Sequence, residues 1–307
     1  MLRKGTVVEM RKQGVDLSEM NGALPLQGMK GEVDFILLRA GYGSDYKSQD
    51  DTQFYNFVAQ CNELSIPWGA YLYSYALNVK DAQSEAAHML RLIDGFYPSY
   101  GVWLDMEDGD GYKAQNDMPS DEILTDICVT FCDALETAGY YTGIYSNLSW
   151  LTSKLSSPKL DRFDKWVAQW NTTNDYKGSY GIWQYTSTGR IPGYSGRFDL
   201  NYAYRDYPKL TNNGRPDPAP DPGADNYPTG TYEVTATVLN VRTGPGTDYP
   251  WKRFEELTEN ARQQIMALAG YAANGYVRGM TFDVMETKGA WGRTPSGWVS
   301  LDWAAKI

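Results

Sequence analysis

The chain has 307 residues, 42% of them hydrophobic, with 10 Trp, 24 Tyr and a formal net charge of -10. That length exceeds one average domain and predicts two. The acidic balance excludes nucleic acid as the main partner, because phosphate binding needs a basic face, and no run of about 20 apolar residues is present to cross a bilayer. The 3 Cys are too few and too odd for a disulfide framework. A single His leaves no ligand set for zinc, and Cys-His or Ser-His-Asp catalysis would have to use His88 itself, with no nucleophile motif near it, so no metal or cofactor is implied and carboxylate chemistry is the natural option.

Taken in order, residues 14–18 (GVDLS) predict a short strand ending on Asp16. Residues 33–40 (VDFILLRA) form a nearly continuous apolar run, as buried parallel strands do. A helix follows at 52–64, then a strand at 68–75 (WGAYLYSY) and a helix at 79–93. The lone His88 lies in that helix and is predicted on its surface or flank. Residues 102–107 (VWLDME) predict the fourth strand. Alternation puts Trp103, Asp105 and Glu107 on one face, with the two acids roughly 7 Å apart at Cα from strand rise. A helix at 120–138 has Ser120 as N-cap and Gly139 beyond its end. Its Cys128 and Cys132, one turn apart on an apolar face, read as small core residues rather than a metal pair. Strands are predicted at 140–146, 166–170, 181–185 and 197–200.

Strand and helix alternate through the first five units, which predicts a parallel α/β sheet. Eight strands in about 200 residues predict a closed TIM-like barrel. The last connections, 171–180 and 186–196, are short and Gly-rich, so the barrel is expected to be irregular, with late helices shortened or missing. Asp16, Asp105, Glu107 and Asp199 all fall at strand ends. In a parallel barrel such ends open on one face, where active sites form.

Residues 208–230 hold six Pro among Asn, Asp and Gly and predict an extended spacer. This divides the chain into 1–207, a linker at 208–230, and a small β domain at 231–307. The last has strands at 231–242, 281–286, 290–294 and 297–301, and a helical insertion near 255–275.

Two carboxylates flanking one bond are the usual machinery of glycoside hydrolysis. Glu107 would be held neutral by its neighbour's charge and by walls such as Trp103, with Asp105 as the anion. The plain alternative is that both acids only cap a strand and solvate a loop, as Asp108 and Asp110 do. Arg39, closing an apolar strand, would pair with Asp16 or Asp199, either at the site or as a structural ion pair. Tyr42, Tyr73, Tyr75, Tyr145, Trp170 and Trp183 lie at or near strand ends. A minority of them is expected to touch substrate.

The ordered segments GVDLSEMNG (14–22), ILLRAGYG (36–43), WGAYLYSY (68–75), WLDME (103–107), YTGIYSN (141–147), WVAQW (166–170) and WQYTSTGRIPGYSGRFDLN (183–201) together resemble glycoside hydrolase family 25, the Chalaropsis-type lysozymes. The resemblance covers about residues 14–204 and implies an irregular β/α barrel. It implies cleavage of the β-1,4 bond between N-acetylmuramic acid and N-acetylglucosamine in bacterial peptidoglycan. By it Glu107 is the general acid/base, and Asp105 either attacks the sugar or orients the substrate's acetamido group. Asp16 and Asp199 position the pair.

The second domain resembles bacterial SH3-like wall-binding modules in VLNVRTGPG (238–246) and GWVS (297–300), and departs from them at 255–275. The combination looks like a bacteriophage endolysin. Residues 1–14 lack an apolar signal core. The implied route is accumulation in the host cytoplasm and release to the cell wall through a membrane pore. A bacterial autolysin, a chitinase-like hydrolase and a non-catalytic wall-binding protein are the competing readings. Trp103, two positions before Asp105, disfavours the D-x-D-x-E run of chitinases. No feature specifies an oligomer.

Overall fold

The structure, a computed structural model, describes residues 11–94, 96–212, 227–235, 238–246, 249–250, 252–269, 273 and 275–307. The chain divides into two compact units, residues 1–93 with 97–215 and residues 94–96 with 216–307. Among the described residues no helix is long and apolar enough to cross a membrane.

The first unit is a closed eight-stranded barrel. Its strands are β1 (Lys12–Leu17), β2 (Phe35–Tyr42), β3 (Trp68–Tyr73), β4 (Val102–Asp105), β5 (Thr142–Asn147), β6 (Asp164–Ala168), β7 (Ile182–Gly189) and β8 (Phe198–Ala203), in sequence order around the wall. Helices α1 (Phe54–Leu64), α2 (Val79–Leu92), α3 (Tyr112–Gln115), α4 (Asp121–Thr137), α5 (Leu148–Thr152) and α6 (Tyr207–Asn212) complete the unit. Strand β2 is buried along nearly its whole length, because one face fills the barrel and the other meets α1 and α2. Helix α4 buries Leu124, Ile127, Cys128, Phe131, Cys132 and Leu135 at helical spacing, and Ser120 caps it by accepting from the Ile123 amide. Neither β6 to β7 nor β7 to β8 is joined by a helix.

One expectation is corrected. The barrel is not all parallel: β8 runs antiparallel to both β7 and β1. A β7–β8 hairpin therefore replaces the final crossover. Asp199 reaches the same end as the other acids because it lies near the start of a reversed strand, directly across from Asp16 in the β1–β8 register.

The opposite end is plugged by aromatic rings. Phe35 stacks on Tyr100 with centroids 4.2 Å apart, and Trp103 meets Trp166 edge-on at 6.1 Å. Tyr207 of α6 is fully buried among them. Each such ring contributes about 1.5–3 kcal/mol by burial. A Cβ on Gly14 or Gly143 would come within 2.4 Å of Phe35 or Trp103 respectively, so the floor depends on glycine at both positions. Helix α6 takes the first residues of the expected spacer into the barrel unit. Residues 213–226 of that spacer lie outside the described residues.

His88 is not on a helix surface. It is fully buried, its ring bonded to the Gly43 carbonyl and to Asp50 Oδ1, both at 2.9 Å. The loop after β2 folds over α2, a long-range contact that helical periodicity does not record.

Among its described residues the second unit has three small sheets. They are built from β9 (Gly230–Val234), β10 (Val238–Leu239), β11 (Tyr276–Val277), β12 (Thr281–Val284), β13 (Glu286–Lys288), β14 (Trp291–Thr294), β15 (Gly297–Ser300) and β16 (Ala304–Lys306), in orders β12-β9-β16, β13-β14-β15 and β10-β11. Tyr232, Val241, Phe282, Val299 and Leu301 form the core. Helix α7 (Glu259–Ala269) adds Ala261 and Ile265 to it, so the helical insertion is a structural part of this unit.

Candidate active site

Asp105 is the last residue of β4 and Glu107 follows two residues later. Their backbone is held from both sides. The Ser74 amide donates to the Asp105 carbonyl at 2.9 Å, the Met106 amide to the Tyr145 carbonyl at 2.9 Å, and Ser146 Oγ to the Met106 carbonyl at 2.6 Å. Such anchoring limits where the two carboxyls can point.

Asp105 is 5% exposed, and its Oδ1 has no hydrogen-bond partner. Burial pushes its pKa well above the ordinary carboxylate range, and the neighbouring Glu107 charge pushes it further, while Lys113 opposes both. Glu107, half-buried, is raised chiefly by burial. Lys113 lowers it, and Asp199, Asp110 and Asp108 raise it. Burial thus disfavours charge on both carboxyls, and the Glu107 charge disfavours it further on Asp105.

Asp16 is also buried, and its pKa is raised well above normal by burial and then by Asp199. Its Oδ2 accepts from Asn201 Nδ2 at 2.8 Å and Gln184 Nε2 at 3.0 Å. The orientation of both amides is set by further partners. Gln184 Oε1 accepts from Tyr145 Oη and Trp170 Nε1, each at 3.1 Å, and Asn201 Oδ1 accepts from Trp166 Nε1 at 2.8 Å. Their nitrogens are the ends left for Asp16. Asp199 is raised by burial.

Arg39 pairs with neither Asp16 nor Asp199. Its Nε bonds Asp51 Oδ2 at 2.9 Å and its Nη2 bonds Glu19 Oε1 at 3.0 Å. Bracing between the loops after β1 and β2 took precedence over the strand-end acids, although Arg39 still lowers the Asp105 pKa.

Tyr73 and Tyr75 lie beside the pair and share Asp110 as acceptor, at 3.5 and 2.6 Å. Burial and the surrounding acids raise Tyr73, and burial with Asp110 pushes Tyr75 up to about 12. Tyr42 meets Tyr75 edge-on at 6.1 Å. Asp110, expected only to solvate a loop, therefore organises this aromatic side of the mouth. Tyr145 is buried and serves Gln184, whereas Trp170 is 65% exposed beside it. Trp183 stands on the other face of β7 from Gln184, packed on Tyr185 and Tyr202, and the barrel does not bring it to the acids.

Sequence reasoning missed Gln184, Asn201 and Lys113. A signal existed for Asn201: it is two residues after Asp199 on one strand, hence on the same face. Lys113, on the four-residue helix α3, had none.

The chain matches the family model for Glycosyl hydrolases family 25 over residues 15–194. Among solved structures it is similar to the modular autolysin LytC from Streptococcus pneumoniae in complex with synthetic peptidoglycan ligand. There the identity is 27%, the TM-score 0.56, and the match covers 65% of this chain and 48% of that one. The chain thus spans about half the length of that autolysin. It is also similar in fold to a family 25 glycosyl hydrolase from Bacillus anthracis, at 21% identity and TM-score 0.56, over 66% of this chain and 94% of that one. A third similar fold is the catalytic domain of endolysin ply40 from a bacteriophage of Listeria monocytogenes, at 24% identity and TM-score 0.53, over 66% and 97% of the two chains. No curated protein matches this chain.

Proposed function

The chain belongs to glycosyl hydrolase family 25, and from that premise we propose that it cleaves the β-1,4 bond between N-acetylmuramic acid and N-acetylglucosamine in bacterial peptidoglycan. The observation that carries this reading is the Asp105–Glu107 pair at the end of β4, with Asp105 buried and one of its carboxylate oxygens unpartnered.

Asp105 is the more buried of the two, so in the empty site burial disfavours its charge more. A substrate acetamido N–H donating to the Asp105 carboxyl, through the oxygen that faces the mouth, supplies a donor this group lacks. That bond favours the ionised form of Asp105 and leaves the proton on Glu107. Glu107 then protonates the glycosidic oxygen as the bond to C1 breaks. The acetamido carbonyl oxygen, aimed by Asp105, closes on C1, and water activated by Glu107 opens the resulting ring. Asp16, already accepting from two amides, holds the opposite wall with Asp199. Trp170, Tyr42, Tyr73 and Tyr75 offer ring faces for sugar stacking.

The second unit is proposed as an SH3-like wall-binding module that raises the local concentration of the barrel on its polymer. Its removal should weaken wall binding more than hydrolysis of soluble fragments, provided the cut falls after α6. Action on the cell wall, with release through a membrane pore as in a bacteriophage endolysin, fits this reading.

Digestion of purified peptidoglycan, with mass analysis of the new reducing ends, tests the assignment. Ends on N-acetylmuramic acid support it, while ends on N-acetylglucosamine or no release sink it. Glycan de-N-acetylated at the muramic residue should resist cleavage. Normal turnover of that glycan would instead make Asp105 the nucleophile.

A further inference from the structure

We propose that Lys113 is a positioning residue for the acid pair: its buried ammonium fixes the backbone carrying Glu107 and supplies positive charge that lets the pair hold a single negative charge. The proposal rests on the hydrolytic reading given above.

Lys113 is 1% exposed. Its Nζ donates to the Ser74 carbonyl and, at 3.0 Å, to the Glu107 carbonyl. The Ser74 amide in turn donates to the Asp105 carbonyl at 2.9 Å. These bonds close a ring through Asp105, Ser74, Lys113 and Glu107 that joins the end of β3 to the turn after β4. Helix α3 is aimed by the same turn, since Asp108 accepts from the Lys113 amide at 2.7 Å and the Ala114 amide at 3.0 Å.

The charge has its own support. Glu85 of α2, fully buried, accepts from Ser74 Oγ and from the Tyr75 amide, both at 2.7 Å. The ionisable groups facing Lys113 are Glu85 from α2, Asp105 from β4, Glu107, Asp108 and Asp110 from the following turn and Cys128 from α4, with the Tyr73 ring of β3 at 5.9 Å. An ammonium buried among carboxyls is costly unless they answer its charge. Two carbonyl oxygens alone would not require a cation. The carboxyls around it include the two of the reaction, and Lys113 holds both Asp105 and Glu107 below where burial would place them. Glu85, pushed up to about 7 by burial, adds a counter-charge that comes and goes near neutrality.

The signs follow. Without the ammonium, Asp105 and Glu107 both keep protons to higher pH. The acid limb of the rate profile requires an ionised Asp105 and the alkaline limb a protonated Glu107, so both limbs move up. Without Glu85, the ammonium loses the largest of its counter-charges above neutrality and acts more strongly on Glu107, so the alkaline limb moves down.

The test is the pH dependence of kcat and kcat/KM on soluble peptidoglycan fragments for the full chain and three variants. Lys113→Met should lower kcat about 10- to 100-fold with KM nearly unchanged and move both limbs up by about one pH unit. Lys113→Arg should restore the limbs. Glu85→Gln, which keeps the bond from the Tyr75 amide and can donate to Ser74 Oγ where the carboxylate accepted from it, should move only the alkaline limb, downward. A folded Lys113→Met chain with unmoved limbs overturns the proposal, because that is the outcome of a merely structural lysine. If Lys113→Met does not fold, an unmoved alkaline limb in Glu85→Gln overturns it instead. A wild-type chain releasing no muramic reducing ends overturns the hydrolytic reading and this proposal together, whereas an active wild type with unmoved limbs overturns this proposal alone.

Discussion

Asp164 and Asp105 are buried to nearly the same degree, 7% and 5% exposed, at opposite ends of one barrel. At the closed end, Asp164 Oδ2 accepts from Tyr207 Oη at 2.6 Å and Tyr141 Oη at 2.9 Å, and its Oδ1 meets the Lys165 amide at 2.8 Å and Arg205 at 3.3 Å. At the open end, Asp105 Oδ1 meets nothing. A buried charge with a full set of partners holds structure together. A buried acid that lacks a partner costs stability, and such groups concentrate at functional sites. Depth of burial does not separate the two carboxylates, but completeness of bonding does.

The sharpest way to break this contrast is at the open end. Glu107→Gln should fold normally and lose about 10³-fold or more in wall hydrolysis, read by turbidity clearance. Asp105→Asn should lose about 10²- to 10³-fold. At the closed end, Asp164→Asn should do the reverse, costing about 2–4 kcal/mol in denaturant unfolding while kcat of the folded enzyme stays near wild type.

Proton linkage sharpens the contrast further. The folded-state pKa of Asp105 lies above its unfolded value, so its contribution to stability is present at low pH and is lost as pH rises from about 4 through the folded pKa. Asp105→Asn should therefore melt above wild type at neutral pH, with the gap closing toward pH ~4. A gap independent of pH would mean that Asp105 is not strained by its charge. The smallest effect is expected at Trp170, where Ala should raise KM about 3- to 10-fold with little change in kcat.

The barrel was legible because its strands are short apolar runs punctuated by capped helices, and both patterns are local. The positions of Asp16, Asp105 and Glu107 were legible because each falls at or just past the C-terminal end of such a run, whereas Asp199 lies near the start of β8 and joins them only because that strand is reversed. The direction of β8 was not, since alternation within a strand is the same read either way. The partners of Arg39 and His88 come from loops 12 or more residues distant in sequence, beyond any periodic signal. Lys113 lies in a turn that reads as solvated, and only the fold shows that the turn closes over the site.

The seam between β1 and β8 pairs residues 12–16 with residues 199–203. Asp16 and its ligand Asn201 belong to opposite sides of that seam, as do Asp16 and Asp199. A chain still on the ribosome has no complete mouth until its two hundredth residue or so has emerged, whatever its earlier strands have built. The enzyme is in this sense silent by topology during its own synthesis. A nick or permutation placed in the β1–β2 or β7–β8 connections would leave that seam intact, while loss of either terminal strand would disassemble the acid cluster all at once.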